Sequence, residues 1–273
     1  MALLFGGIIG LALGLTGGGG SIFAVPLLVY GLGLAPREAI SVSLAAVGLA
    51  AAFGAAGAVR ARLVEYRAAI IFALAGMVGA PLGVKAAHWF SETTLLTAFA
   101  ILMLVVAIGM WRAAMRSPAA AGVVRADYVP AVASETGPMC RVDSDRQLRL
   151  TGPCSAVLAL TGIGTGLLAG AFGVGGGFVI VPALTLIARI DIHRAVATSL
   201  LIISFVGLAG VATVLAEGRQ LPWLLTALFV GGALAGMLLG RLLARRTAGP
   251  RLQKLFAAAI IVVAVFVLAS RPY

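Results

Sequence analysis

Polar residues in this chain fall in short gaps between long apolar blocks. Six blocks stand out, at residues 41–59, 68–87, 94–111, 195–216, 222–243 and 255–270. As helices rising about 1.5 Å per residue, most of them would cross a hydrocarbon core about 30 Å thick. Four more blocks border glycine-rich stretches. Those at 3–15, 22–34 and 178–190 would reach only about 20 Å as helices; the one at 154–171 is longer. One polar tract, about 112–151, interrupts the pattern. It holds Pro118, Pro130 and Pro138, has no sustained period, and reads as a surface loop, flexible or partly ordered.

Composition makes a membrane the solvent. The chain has 273 residues, 62% hydrophobic and 11% charged, with a mean hydropathy of +1.12. Soluble domains carry roughly 25% charged residues. A single water-soluble domain of this size could not bury so much apolar surface, so the expected class is all-α integral membrane. The net charge of +11 does not point to nucleic acid, because the basic residues occupy gaps between apolar runs rather than one soluble face. Cys140 and Cys154 form no CxxC or metal pattern and read as inert thiols. No metal or cofactor site is expected.

An offset of 156 residues superimposes the two halves without gaps from Gly10 to Gly54. Gly10, Gly14, Gly17, Gly19, Gly20, Val25 and Pro26 meet Gly166, Gly170, Gly173, Gly175, Gly176, Val181 and Pro182; Ser43 and Leu44 meet Ser199 and Leu200. After a one-residue slip, Gly79 and Gly83 meet Gly236 and Gly240. The expected organisation is a first transmembrane repeat at 1–111, a polar cytoplasmic linker at 112–152 and a second repeat at 153–273. Each repeat has about five helices, giving 8–10 membrane segments in all.

Each repeat opens with glycines inside apolar sequence: "GLTGGGGSIFAVP" (14–26) and "GAFGVGGGFVIVP" (170–182). Either break is a sharp turn that returns the chain to its side of entry, or it is a kink in one long span. The charges choose. With sharp turns, four basic residues (Arg37, Lys85, Arg219, Arg271) share a side with the N-terminus, and the other sixteen of twenty lie opposite. With kinks the division is eleven against nine. Cytoplasmic loops concentrate Lys and Arg, so the lopsided division is favoured. Both termini are then periplasmic, and the second repeat is inverted relative to the first. Each hairpin is re-entrant or nearly spans; parity does not separate these. Short, glycine-interrupted segments at matching places in inverted repeats point to a transporter's substrate site.

Non-helical backbone inside a bilayer must be buried in protein or line a wet cavity. A helix starting after each break presents N–H groups without intrahelical partners and about half a positive charge. Two such starts meeting would hold a small anion. The candidate substrate-binding residues are Thr16, Gly17, Gly18, Gly19, Gly20 and Ser21 at the first break. At the second they are Gly173, Gly175, Gly176 and Gly177, with hydroxyls from Ser43, Thr198 and Ser199. No Asp or Glu lies within a long apolar run, which disfavours a carboxylate proton relay. The rival reading is packing: glycines let helices approach, and Gly6-xxx-Gly10-xxx-Gly14 and Gly232-xxx-Gly236-xxx-Gly240 are packing signals first. Ser41, Ser43 and Ser199 are also suited to capping helix starts. No nucleophile or metal set sits in the apolar spans, so the chain does not read as an enzyme.

The paired stretches "TGGGGSIFAVP" and "FGVGGGFVIVP" resemble the TauE/SafE sulfite exporter family, over about residues 5–110 and 155–270. The first copy departs from the second where Ser21 stands opposite Gly177 and Gly18 opposite Val174. The resemblance implies a transporter, in a bacterial inner membrane, of sulfite, thiosulfate or an organosulfonate, usually outward. Alternating access would come from rocking of one repeat against the other. An anion channel with the same site and a non-transporting scaffold are the alternatives. Expected partners are the anion and the lipid bilayer; a homodimer stays open.

Overall fold

The computed structural model describes residues 1–16, 18–116, 141–142, 148–149, 152–188, 190–219, 221–247 and 250–270. Gly17 and most of the linker lie outside the described residues. The described chain is helical throughout, apart from one two-residue antiparallel pair, β1 (Arg141–Val142) and β2 (Leu148–Arg149). The first half contains α1 (Ala2–Thr16), a composite helix α2 (Gly19–Gly31), α3 (Pro36–Arg60), α4 (Tyr66–Ala86) and α5 (Glu92–Arg116). The second contains α6 (Gly152–Phe172), α7 (Gly177–Leu186), α8 (Ile192–Ala216), α9 (Trp223–Thr247) and α10 (Pro250–Ala269).

Local sequence sets the boundaries. Pro36 stands in the first turn of α3, where its missing N–H costs nothing. Asp191 caps α8 by accepting from the His193 N–H at 3.0 Å, and Ser91 accepts from the Thr94 N–H at 3.2 Å at the start of α5. Among the described residues, six helices are long and apolar enough to cross a membrane: Pro36–Arg60, Tyr66–Ala86, Glu92–Arg112, Cys154–Phe172, His193–Ala216 and Trp223–Gly240. The segments around the first break, Ala2–Thr16 and Gly19–Gly31, are shorter.

Both breaks are sharp turns. Gly20 lies on the Ala12–Leu13 backbone, where a Cβ would stand 2.4 Å from both. At the other end of α2, Gly31 faces the Phe5 ring at 2.7 Å by the same measure. α2 therefore runs back along α1. In the second half, Gly176 lies beside Thr165 of α6.

The halves pack by exchange, the first helix of each lying along the fourth helix of the other. α1 joins α9 through the two glycine series expected to be packing signals. A Cβ at Gly6 would lie 2.1 Å from the Phe229 carbonyl oxygen, and one at Gly236 2.0 Å from that of Gly7. α4 joins α6 in the same way: Gly79 meets the Ile163 oxygen at 2.3 Å, and Gly166 meets that of Gly76 at 2.2 Å. Lipid offers no hydrophobic gain for helix association, so such backbone approach supplies the packing energy. At the centre α3 and α8 run antiparallel and cross where Gly48 meets Gly207, near the middle of each. α3 is the most buried of the candidate spans and α5 the least. α5 and α10 pair at the periphery, turning Val105 and Val262 outward.

Cys154 departs from the expectation of an inert thiol: it is buried and disulfide-bonded. The chain's other cysteine, Cys140, is outside the described residues. Motif patterns detect CxxC or metal spacing and miss a pairing outside those patterns.

Candidate functional site

The first turn is held by its own hydroxyls. Thr16 Oγ1 donates to the Ala12 carbonyl at 2.8 Å and accepts the Gly20 N–H at 3.0 Å, closing α1 and opening α2. Gly18 precedes the first turn of α2 with φ 146°, a conformation essentially reserved for glycine. Ser21 Oγ donates to the Gly18 carbonyl at 2.8 Å and also reaches the Val174 carbonyl in the second turn. The second turn places Gly173, Gly175 and Gly176 at φ near +70° before α7 begins at Gly177. Ser43, on α3, donates to the Gly173 carbonyl.

The two turns touch. A Cβ at Gly177 would lie 2.7 Å from the Gly18 Cα, and Ile203 of α8 packs against Gly18, Gly175 and Gly177. Val47 of α3 presses on Gly175 as well. The contact follows the repeat: Gly18 is equivalent to Val174, and Ser21 to Gly177. The first of these positions in each half meets the second of the other, once as Gly18 against Gly177 and once as Val174 against Ser21. Val47 and Ile203 are themselves equivalent and sit near mid-length of α3 and α8. The turns therefore meet about halfway along the two central helices.

No charged side chain contributes to these contacts. The carbonyls of Gly18, Val174 and Gly173 accept hydroxyls, so the polar groups left for a ligand are amides. Val179 and Ile180 both donate to the Gly176 carbonyl, which leaves the opening amides of α7, at Gly177 and Phe178, without intrahelical acceptors. Among the described residues no group of three or more His, Cys, Asp or Glu could hold a metal ion.

Thr198 stands elsewhere: its hydroxyl accepts the Glu65 N–H at 3.0 Å at the start of α4. Ser199 donates to the Val196 carbonyl of its own helix at 2.8 Å. Gly19 is half-buried, and a Cβ there would meet only the Thr16 side chain. Sequence reading missed Ile203, Val47 and the Val174 carbonyl; the first two were visible as repeat-equivalent apolar positions. It found no acid within the long apolar runs but did not recognise that one of the acids outside them, Glu65, is covered. Glu65 is 7% exposed and pairs with Arg194 at 2.8 Å.

The family described as "Sulfite exporter TauE/SafE" matches residues 2–267. This chain belongs to the TauE/SafE family. A "Probable membrane transporter protein" of Xylella fastidiosa (strain Temecula1 / ATCC 700964) is 36% identical over 268 residues, covering 96% of this chain and 92% of the relative. "Probable membrane transporter protein YunE" of Bacillus subtilis (strain 168) is 25% identical over 253 residues, covering 89% and 86%. No solved structure matches the chain. This TauE/SafE chain is a multi-pass membrane transporter and not an enzyme.

Proposed function

We propose that this transporter carries a small sulfur-containing oxyanion outward across the bacterial inner membrane, holding it on the Gly19 amide at the start of α2 and on the Gly177 and Phe178 amides that open α7. Sulfite, thiosulfate and short organosulfonates share the required chemistry, a compact set of anionic oxygens that accept N–H donors. The observation carrying the proposal is the meeting of two non-helical turns halfway along α3 and α8, without a formal charge between them. Helix starts attract anions through oriented amides and the aligned peptide dipoles. An uncharged site suits transport, since the anion must leave as readily as it enters. The antiparallel run of α3 and α8 supports an inverted pair of repeats, which would open the same site to each side in turn.

The test is anion-dependent thermal stabilisation in detergent, across sulfite, thiosulfate, sulfoacetate, sulfate and taurine, on the wild type and Gly19→Ala. Gly19 has no positive φ and its nearest neighbour is the Thr16 hydroxyl at 3.3 Å, so alanine fits the fold while placing a methyl beside the amides. The proposal expects sulfur oxyanions to raise the melting temperature of the wild type and Gly19→Ala to lose most of that rise. Equal stabilisation of both proteins, or none by any anion, would refute it.

A further inference from the structure

We infer that α1 and α9 move as one body against α3 during transport, while α4 and α6 stay anchored to α8. The inference builds on the transport reading but not on the identity of the anion.

The strongest seams in the molecule join the two repeats. α1 and α9 touch backbone to backbone from Gly6 to Gly240, and α4 and α6 do so from Gly76 to Gly170. Parting either pair would forfeit a whole line of close contacts. One repeat therefore cannot rock against the other as a unit, and the rigid bodies are these cross-repeat pairs.

The two pairs are held to the centre differently. α4 lies along α8 in the same direction and is tied to it at both ends. At one end the Glu65 carboxylate pairs with Arg194 at 2.8 Å, and the Glu65 N–H bonds Thr198. At the other, beyond the helix ends, His88 Nε2 lies 3.1 Å from the Glu217 carboxylate, which Arg219 also approaches at 3.7 Å. The positions equivalent to Glu65 and Arg194 are Pro222 and Glu38, which cannot make that pair. Packing differs in the same sense. Val206 of α8 presses so closely on Gly76 that a Cβ there would lie 2.6 Å away. The equivalent pair is Ala50 and Ala233, small side chains that meet Leu13, Ala46 and Val47 along an apolar seam with no room for water. The described residues of the α1–α9 body thus rest on α3 across an apolar seam of small side chains over which the body can slide. The α4–α6 body is clamped.

Ala50→Val, which copies the other half, tests this by adding the bulk with which Val206 locks against Gly76. Transport of radiolabelled sulfite into proteoliposomes should fall about tenfold, which is what a barrier higher by about 1.4 kcal/mol does. The shift of its melting temperature with sulfite should persist. A second variant guards against overpacking: Ala50→Cys with Ala233→Cys, crosslinked across the seam, should stop transport until reductant is added. Glu65→Cys with Arg194→Cys, joined by a longer bifunctional thiol reagent, should leave transport within about twofold of its uncrosslinked rate, a change of under 0.5 kcal/mol. Wild-type rates in Ala50→Val and in the crosslinked seam would overturn the inference, as would a block from the Glu65–Arg194 crosslink. Loss of the sulfite-dependent melting shift in the wild type would instead count against the binding reading alone.

Discussion

Gly231 and Gly232 are adjacent on α9, yet they should respond oppositely to alanine. A Cβ at Gly232 would stand 2.1 Å from the Leu3 carbonyl oxygen, while one at Gly231 would meet nothing within 4 Å. Real Cβ atoms essentially never come within 3.0 Å of such an atom, so Gly232→Ala must push α1 and α9 apart by about 0.9 Å (3.0 minus 2.1). A gap of that size forfeits roughly a quarter to a half of each contact's attraction, and the loss spreads to neighbours such as Gly6 and Gly236. Overpacking of this kind costs about 1–3 kcal/mol. At roughly 2–4 °C per kcal/mol for a chain of this class, the apparent Tm in detergent should drop by about 2–12 °C. Gly231→Ala gains helix propensity, up to about 1 kcal/mol, and should leave Tm level or slightly higher. Fluorescence-detected size-exclusion after heating reads both variants in one host helix, so propensity and expression effects are shared. The α4–α6 seam supplies a replicate, with Gly170 facing the Ala80 oxygen at 2.1 Å and Gly164 facing nothing. Equal Tm changes within each pair would refute the claim that backbone approach, rather than glycine content, holds these helices together.

Three other outcomes are expected. Gly175→Ala combines φ 67° with a Val47 methyl at 2.7 Å, so it should lose more stability than Gly33→Ala. The latter has φ 70° and open space and incurs only the left-handed penalty of about 1–2 kcal/mol; comparable melting curves would contradict this. Arg194→Ala strips the cation from buried Glu65; because the Arg194 side chain is 33% exposed, the loss should be about 1–3 kcal/mol, below the range for fully buried pairs. Glu65→Gln with Arg194→Ala should recover part of that loss in the same melting assay, and additive losses would argue against the pairing. Finally, the division of arginines predicts that a cysteine at Arg112 is shielded from impermeant thiol reagents applied to intact cells and labelled after permeabilisation. Labelling from outside would reverse the orientation and place the disulfide-bonded Cys154 end of α6 in the oxidising compartment where such bonds usually persist.

What the sequence made legible was whatever repeats. The offset of 156 residues located both glycine turns, and the division of the basic residues chose a sharp turn over a kink at each. The Gly6 and Gly232 series could be read as packing faces from their four-residue spacing alone, and they pack against each other. Side-chain direction was not legible. Thr198 and Ser43 occupy neighbouring frames of the repeat, yet Ser43 reaches the second turn while Thr198 serves the start of α4. That difference depends on which helix lies opposite, which no local window contains. Glu65 shows the same limit: its neighbours in sequence are those of an exposed loop, and the burial comes from α8, more than a hundred residues away. The Cys154 disulfide was missed because composition and spacing report only motifs, and it follows none.

The two departures from exact repetition at the glycine turns fall on the positions that meet, and this gives them a physical reading. Had both halves carried Gly at the first position and Gly at the second, two bare backbone contacts would leave the turns free to slip along each other. Had both carried Val and Ser, both contacts would carry bulk and the backbones could not close. One Gly18–Gly177 contact allows the closest approach, and one Ser21–Val174 hydrogen bond fixes the register at that approach. Ser21 also reaches the Gly18 carbonyl with a single hydroxyl proton to give, so it can exchange the link across the turns for one within its own. A contact that can be traded without leaving the donor unpaired is what the junction of two moving bodies requires, and the first turn belongs to the body that meets α3 along the seam of small apolar side chains.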